Sequence, residues 1–219
     1  MAKPPAKRAG LTTQVRAVAG RSVKSREWLQ RQLNDPYVQA AQKAGWRSRA
    51  AFKLIQLDEK FHLLKPGLRV VDLGAAPGGW MQVAAAKGCR VIGLDLLEMD
   101  AVPGTMALQG DFQDEAVEAA VLAAMAGPAD LVLSDMAPNT IGHGPTDHLR
   151  IMGLADLALD FAERVLSPGG GFVAKVFQGG SEAAMMLRLR ARFTAVKHAK
   201  PAASRKDSSE LYVVAQGFR

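Results

Sequence analysis

The sequence predicts an α/β fold: a Rossmann-like, mostly parallel seven-stranded sheet with helices on both faces and an antiparallel final strand. Three observations in the 219 residues predict it. Short apolar runs of strand length alternate with segments long enough for helices. A turn rich in glycine follows the first strong strand. The last two apolar runs lie too close together for a helix to connect them.

The strands are predicted from runs rich in Val, Leu, Ile and Phe that are bounded by Gly, Pro or Asp. Such near-continuous apolar runs are typical of strands covered on both faces. We expect strands at residues 69–74, 90–97, 106–112, 130–136, 170–177 and 210–218, with a weaker one at 193–199.

Helical patterns fill the intervals between the strands. We expect helices at residues 48–61, 78–87, 113–126, 147–166 and 181–191. Strands that alternate with helices form right-handed crossovers and therefore a parallel sheet. Only ten residues, "KPAASRKDSS", separate the last two strands, so this final pair is predicted to be antiparallel.

Charge divides the chain into two parts, a basic arm at residues 1–33 and a single domain at residues 34–219. The arm holds eight basic residues against one acidic residue, a net charge of +7 that equals the net charge of the whole chain. Because the arm lacks apolar periodicity, we expect it to be disordered on its own. Charge alone favours contact with nucleic-acid phosphates, while a solubilising tail and a transit peptide are the alternatives.

The cysteine content and the pattern of apolar residues indicate the cellular compartment expected for the protein. The single cysteine, Cys89, forms neither an internal disulfide nor a multi-cysteine metal site, so a reducing compartment is expected. No run of eighteen apolar residues is present, and the N-terminus lacks the apolar core of a signal peptide. The sequence therefore predicts a cytoplasmic protein without a membrane partner.

Polar side chains end five of the predicted strands. In an open parallel sheet, ligands bind at the carboxyl ends of the strands, near the point where strand order reverses. The residues at these ends are Asp72, Asp95, Asp111, Asp135 and Lys175. Lys175 interrupts the apolar run "FVAKVF", and a lysine in a central strand requires a partner or a function.

The turn "GAAPGGW" after the first strand fits neither common nucleotide fingerprint. It lacks the Gly-Lys-Ser/Thr of a P-loop and the G-x-G-x-x-G spacing of a dinucleotide site. Asp72 places negative charge beside the turn, which disfavours a pyrophosphate, and Asp95 has the position of an acceptor for ribose hydroxyls. The pair suggests a cationic nucleoside such as S-adenosylmethionine. Helix N-caps are the alternative for both carboxylates, and a core aromatic is the alternative for Trp80.

Several motifs in order resemble the FtsJ/RrmJ family of ribose 2′-O-methyltransferases. The resemblance runs from about Trp28 to the C-terminus, and the arm falls largely outside it. The motifs that carry it are "RSRAAFKL", "VVDLGAAPGGW", "GLDLL", "QGDF", "LSDMAPN", "SPGGGFVAKVFQG" and "ASRKDSSELYVVA".

The resemblance implies a class I methyltransferase fold, S-adenosylmethionine as cofactor, and methylation of a uridine ribose in large-subunit (23S) ribosomal RNA. It implies a catalytic tetrad of Lys53, Asp135, Lys175 and Glu210. It also implies a cofactor site lined by Gly78, Trp80, Asp95, Asp111 and Asp135. Methyl transfer of this kind needs no metal.

A ribose hydroxyl is a poor nucleophile, so its attack on a sulfonium methyl needs a base and accurate positioning. A lysine is ordinarily protonated at neutral pH, but a second ammonium and burial both favour the neutral amine. Glu210 and Asp135 oppose that shift, and the sequence does not decide which effect prevails. We predict Lys175 as the proton acceptor. Taken singly, Lys53 and Glu210 are also compatible with exposed surface charges.

Basic residues outside the arm are candidate contacts for RNA phosphates: Arg47, Arg49, Arg205 and Lys206. Trp46 and Tyr37 are candidates for stacking on an unpaired base. The expected partner is ribosomal RNA within the large subunit, bound by a monomer. Methylation of transfer RNA or another RNA, and a non-catalytic RNA-binding role in ribosome assembly, are the alternatives.

Overall fold

The computed structural model describes residue 30 and residues 33–138, 144–177, 182–205 and 208–219. These ranges contain an α/β domain with one sheet between two layers of helices. The basic arm lies almost entirely outside the described residues, as does Lys206.

The described helices agree with the predicted ones to within a few residues, with one addition at the start. They span Pro36–Ala44 (α1), Ala51–Phe61 (α2), Gly79–Ala86 (α3), Glu115–Met125 (α4), Gly144–Val165 (α5) and Glu182–Arg192 (α6). Helix α1 was not predicted. Asp35 caps its N-terminus, Pro36 occupies its first position, and Gly45 ends it in the left-handed conformation.

All seven predicted strands are present. They span Arg69–Leu73 (β1), Arg90–Asp95 (β2), Met106–Gln109 (β3), Ala129–Ser134 (β4), Leu166–Phe177 (β5), Phe193–Ala199 (β6) and Glu210–Phe218 (β7). Strands β3 and β4 end earlier than predicted, so Asp111 and Asp135 lie in the loops that follow them. Both carboxylates therefore lie just beyond the carboxyl ends of their strands.

The strand order is β3-β2-β1-β4-β5-β7-β6, which confirms the predicted architecture. Strands β1 to β5 are parallel, and β7 runs antiparallel to both β5 and β6. The chain first builds outward from β1 to β3 and then crosses to β4 on the other side. The reversal at the β1–β4 pair opens a crevice at the carboxyl ends of these strands.

Two apolar layers cover the sheet, and alternate residues of each strand enter opposite layers. One layer packs beneath α4, α5 and α6 and includes Phe161 and Phe172. The other packs beneath α2 and α3 and includes Leu54, Met81 and Tyr212. Within the described ranges, no helix combines the length and the apolar character needed to cross a membrane.

Gly93 of β2 allows α3 and the glycine-rich turn to approach the sheet. A Cβ at this position would overlap the sulfur of Met81 on α3 and lie 2.9 Å from the Cβ of Ala75 in the turn. Both neighbours are buried. The close approach therefore depends on the missing side chain.

We predict that Gly93→Ala lowers the free energy of unfolding by about 1–3 kcal/mol, because the added methyl overpacks this contact. Gly153→Ala is the matched control, since Gly153 lies on α5 and a Cβ added there would meet nothing within 4 Å. The control should be neutral or stabilising by up to about 1 kcal/mol. Urea unfolding of the three proteins measures both effects, and equal stability of Gly93→Ala and wild type would refute the packing argument.

Candidate functional site

Successive side chains of a strand point to opposite faces of the sheet. This alternation places the polar residues near the carboxyl ends of β1, β4 and β5 on the same face. Asp72 follows Val70, Asp135 follows Leu133, and Lys175 follows Val173, each two residues later; the three apolar residues all belong to the layer beneath α2 and α3. Tyr212 belongs to the same layer and pairs with Lys175 in the β5–β7 register. Because side chains two residues apart share a face, these groups converge towards α2.

Four charged side chains meet at this point, and they are the four of the expected tetrad. The Lys53 Nζ lies 2.9 Å from Oε1 of Glu210 and 3.4 Å from Oδ1 of Asp135. The Lys175 Nζ lies 2.8 Å from Oδ1 of Asp135 and 4.0 Å from Oε2 of Glu210. Lys175 also donates to the backbone carbonyl of Asp135 at 2.8 Å. The two lysines therefore share both carboxylates.

The cluster is largely removed from solvent. Lys53 and Lys175 are each 8% exposed. Burial tends to raise the pKa of the Asp135 carboxyl, but the charges of Lys175 and Lys53 and the hydrogen bonds outweigh it, so the pKa is lowered. Asp135 therefore stays ionised and balances the ammonium groups.

Tyr212 is a member of the cluster that the sequence argument did not identify. Its hydroxyl accepts from Lys53 Nζ at 2.9 Å and donates to Oδ1 of Asp135 at 2.5 Å. Burial, together with the charges of Asp135 and Glu210, raises the pKa of the Tyr212 phenol well above its usual range. It therefore remains a neutral donor. Its position two residues after Glu210 on one strand was the signal available in the sequence.

Ser204 supports the cluster from the loop before β7. Its hydroxyl lies 2.7 Å from Oε1 of Glu210, and the residue is buried. The same loop is tied to α2 and the segment before it, because Gln56 accepts from the Ala203 backbone N–H and Arg49 donates to the Ala203 carbonyl. This loop thereby helps to fix the Glu210 carboxylate.

The glycine-rich turn lies beside the cluster and packs closely against its neighbours. Gly74 and Gly78 have positive φ angles of 73° and 98°. A Cβ on Gly74 would overlap Met136, and one on Gly78 would lie 2.6 Å from Val102. Glycine is therefore required at both positions for conformation and for space. Trp80 lies in the first turn of α3, is buried, and donates from its indole nitrogen to the Ala50 carbonyl at 2.8 Å.

Asp95 joins the turn to the loop that follows β2. Its carboxylate accepts from the Ala76 N–H at 2.8 Å and from the Leu97 N–H at 2.9 Å. A carboxylate has about four acceptor positions, so capacity for further donors remains. Asp111 is exposed, accepts from the Gln113 N–H at 3.0 Å, and does not belong to the sets of residues that line the clefts described next.

Two adjoining clefts follow this edge of the sheet. A small one of about 70 Å³ is lined by Asp72, Asp135, the glycine-rich turn and Trp80. An open groove of about 810 Å³ is lined by Arg47, Ala76, Pro77 and residues 97–100. Ala76 and Pro77 line both clefts, so the two adjoin at the glycine-rich turn. A small acidic cleft beside a larger groove suits a ligand with a compact cationic end and a larger ring system.

Arg47 is a predicted phosphate contact. In the structure its guanidinium donates hydrogen bonds to backbone carbonyls of the protein itself. It donates to the Pro77 carbonyl at 3.0 Å, to the Asp100 carbonyl at 2.6 Å, and to the Ala101 carbonyl. These bonds tie the segment before α2 to the glycine-rich turn and to the β2 loop. In this arrangement Arg47 closes one side of the groove, and contact with RNA stays a prediction.

Two other predicted RNA contacts share a carboxylate. Arg49 forms an ion pair with Asp35 at 3.0 Å, and Arg205 lies 3.8 Å from the same carboxylate. Tyr37 is buried against Phe52 and Arg49, so its ring is not available to stack on a base here. The side chain of Arg205 is more exposed than that of Arg49.

The sheet order, the glycine-rich turn after β1 and the acidic residue that ends β2 define the class of Rossmann-like methyltransferases. A family model, the FtsJ-like methyltransferase, matches residues 46–218. The chain belongs to the family of FtsJ-like methyltransferases, and this family implies an S-adenosylmethionine-dependent enzyme.

Similar proteins agree with this assignment. A protein of Granulibacter bethesdensis named ribosomal RNA large subunit methyltransferase E is 59% identical over 99% of this chain and 95% of its own length. A protein of the same name from Acidiphilium cryptum is 62% identical over 94% of this chain and 92% of its own. A crystal structure described as a ribosomal RNA methyltransferase of Plasmodium falciparum is 31% identical, with a TM-score of 0.70 over 79% of this chain and 98% of that one.

We predict that Arg47→Ala weakens binding of S-adenosylmethionine by about tenfold, because loss of charge-assisted hydrogen bonds to the loop costs roughly 1.5 kcal/mol. Arg90→Ala is the matched control, since Arg90 is exposed and begins β2 at the opposite edge of the sheet. Isothermal titration calorimetry measures the dissociation constants. Unchanged cofactor affinity combined with weaker RNA binding would refute the role of Arg47 in shaping the groove and leave its predicted phosphate contact standing.

Proposed function

We propose that this chain transfers a methyl group from S-adenosylmethionine to the 2′-hydroxyl of a uridine ribose in large-subunit (23S) ribosomal RNA. The observation that carries the proposal is the pair of buried lysines, Lys53 and Lys175, that share Asp135 and Glu210 beside the glycine-rich turn. The names of relatives at 59% and 62% identity support the choice of substrate.

The residues of the clefts suit S-adenosylmethionine. The small cleft carries the carboxyl groups of Asp72 and Asp135, which attract a cation. Asp95 ends β2 beside the turn, in the position of a ribose acceptor. We propose that Gly78, Trp80, Asp95, Asp111 and Asp135 line the bound cofactor, with Asp111 near the adenine and Asp135 near the methionine.

When bound, S-adenosylmethionine supplies an electrophilic methyl group. Lys175 is an ammonium group in the resting cluster, so it first gives a proton to solvent. As the neutral amine it then accepts the proton of the ribose hydroxyl while the oxygen attacks. Asp135 orients the Lys175 amine through its carboxylate and its backbone carbonyl, both at 2.8 Å. Lys53 holds Glu210 and the Asp135–Tyr212 pair in place, so it acts as the second positioning cation. Desolvation of the cluster strengthens each of these interactions.

We propose that four basic residues contact RNA phosphates. In the sequence, Arg47 and Arg49 precede α2, and Arg205 and Lys206 precede β7. The arm at residues 1–33 adds seven net positive charges to the domain at residues 34–219 and gives affinity without sequence preference. We propose that the protein acts as a monomer on the large ribosomal subunit in the cytoplasm, without a metal.

We predict that Lys175→Ala lowers the rate of methyl transfer by a factor of about 10²–10⁴, the usual contribution of a general base. The variant should still bind S-adenosylmethionine. Lys197→Ala is the matched control, because Lys197 is an exposed lysine on β6. Single-turnover transfer of labelled methyl to large subunits, to bare 23S RNA and to transfer RNA measures the rate, and nuclease digestion identifies the 2′-O-methyl nucleoside.

Near-normal turnover by Lys175→Ala would refute the assignment of the base. Transfer to transfer RNA in preference to ribosomal RNA would refute the substrate. RNA binding without methyl transfer to any acceptor would support a non-catalytic assembly factor instead.

A further inference from the structure

Phe177 is an aromatic residue beside the charged cluster that no step of the proposed reaction uses. It ends β5 two residues after Lys175, so both side chains lie on the same face of the sheet. It pairs with Glu210 in the antiparallel β5–β7 register. Directly opposite side chains on paired strands have Cβ atoms about 5 Å apart. Phe177 therefore lies next to two members of the tetrad, at the carboxyl end of the strand that carries Lys175.

Phe177 is partly exposed, and the apolar core does not account for its ring. Among the described residues, it belongs neither to the two apolar layers nor to the partly buried residues that pack against them. It is also not one of the residues that line the small cleft or the open groove. His148 of α5 packs against it, with ring centroids 6.4 Å apart and ring planes at 42°, and His148 is partly exposed as well.

The two aromatic residues that the sequence suggested for stacking on a base are engaged elsewhere. Tyr37 is buried against Phe52. Trp46 packs against the apolar layer beneath α2 and α3. Phe177, in contrast, is partly exposed and lies next to Lys175, the group proposed to accept the proton. Of these three rings, that of Phe177 therefore has the position from which a base can be stacked in the active site.

The chemistry of the acceptor limits where its base can lie. A 2′-hydroxyl that gives its proton to Lys175 lies within hydrogen-bond distance of the amine, and the base is attached to the neighbouring carbon of the same sugar. Residues two apart on a strand are separated by about 7 Å, a distance that a nucleoside spans. Asp72 and Asp135 line the small cleft on the β1 and β4 side of Lys175. With the donor in that cleft, the side towards Phe177 is left for the acceptor base.

We propose that Phe177 binds the acceptor nucleotide by stacking on its unpaired base, with His148 supporting the ring. The inference rests on the proposed RNA substrate. A base whose sugar enters a largely buried cluster must leave its own stack, which is unfavourable unless another surface replaces the lost contact. An aromatic ring supplies such a surface for any base. Phe177 therefore holds the ribose in place for Lys175 without selecting the identity of the base.

The test is methyl transfer to large ribosomal subunits at saturating S-adenosylmethionine, over a range of subunit concentrations. Phe177→Leu keeps an apolar side chain but removes the aromatic plane. It should raise the half-saturating concentration of subunits by about 5- to 100-fold, the usual effect of losing one base–aromatic stack. Because the stack is present in both the ground state and the transition state, the maximal rate should fall much less. Lys175→Ala should show the opposite pattern.

Two further variants serve as rescue and control. Phe177→Trp retains an aromatic face, so its half-saturating concentration should stay within about threefold of wild type or fall below it. Phe61→Leu is the matched control, because Phe61 is a partly exposed phenylalanine that ends α2. The Phe61 carbonyl accepts from Gln216, which pairs with Gly171 at the other end of the β5–β7 ladder. This control should behave as wild type, and calorimetry should give the same affinity for S-adenosylmethionine in all four proteins.

The outcomes separate this inference from the proposed function. Wild-type kinetics of Phe177→Leu, with wild type active on large subunits, would overturn the stacking role and leave the proposed function standing. A comparable loss in Phe177→Trp, or weaker binding of S-adenosylmethionine by either variant, would make Phe177 a structural support of Glu210 and would also overturn the inference. If Phe177→Leu does not fold, Phe177→Trp decides the question alone. Absence of methyl transfer by wild type to every acceptor tested would overturn both.

Discussion

Two buried ammonium groups held against two shared carboxylates are the constraint on which this site depends. Lys53 and Lys175 would repel each other in a dry environment, and Asp135 and Glu210 offset that repulsion at distances of 2.8–4.0 Å. Removal of any one member leaves an unbalanced charge that the surrounding apolar layer solvates poorly.

The fold holds this cluster because its members come from elements that pack on the same side of the sheet. Strand pairing sets Lys175 directly opposite Tyr212, and the neighbouring β4 ends beside them with Asp135. Helix α2 contributes Lys53 from above. The glycine-rich turn then places the small cleft against the cluster, because Gly74 and Gly93 permit contacts that larger residues would prevent. Positioning therefore follows from sheet register and close packing.

The alternation of strand-length apolar runs with helix-length segments was sufficient to predict the sheet. Lys175 could be singled out from the sequence because it interrupts one of these apolar runs. Lys53 and Glu210 have no such local signal, so only the family resemblance grouped them with the site. Helix α1 spans only nine residues and was missed, although Asp35, Pro36 and Gly45 mark its ends. The partners of Arg47 are backbone carbonyls from distant loops, which sequence patterns do not encode.

The central claim is that the four charges act as one coupled unit, and a double-mutant cycle of folding stability tests it directly. Lys53→Met and Glu210→Gln should each destabilise the protein by about 2 kcal/mol or more, because each leaves a buried charge unpaired. The double variant removes one charge of each sign, so it should cost at least about 1 kcal/mol less than the sum of the single changes. Effects that add to within about 0.5 kcal/mol would contradict the coupled cluster.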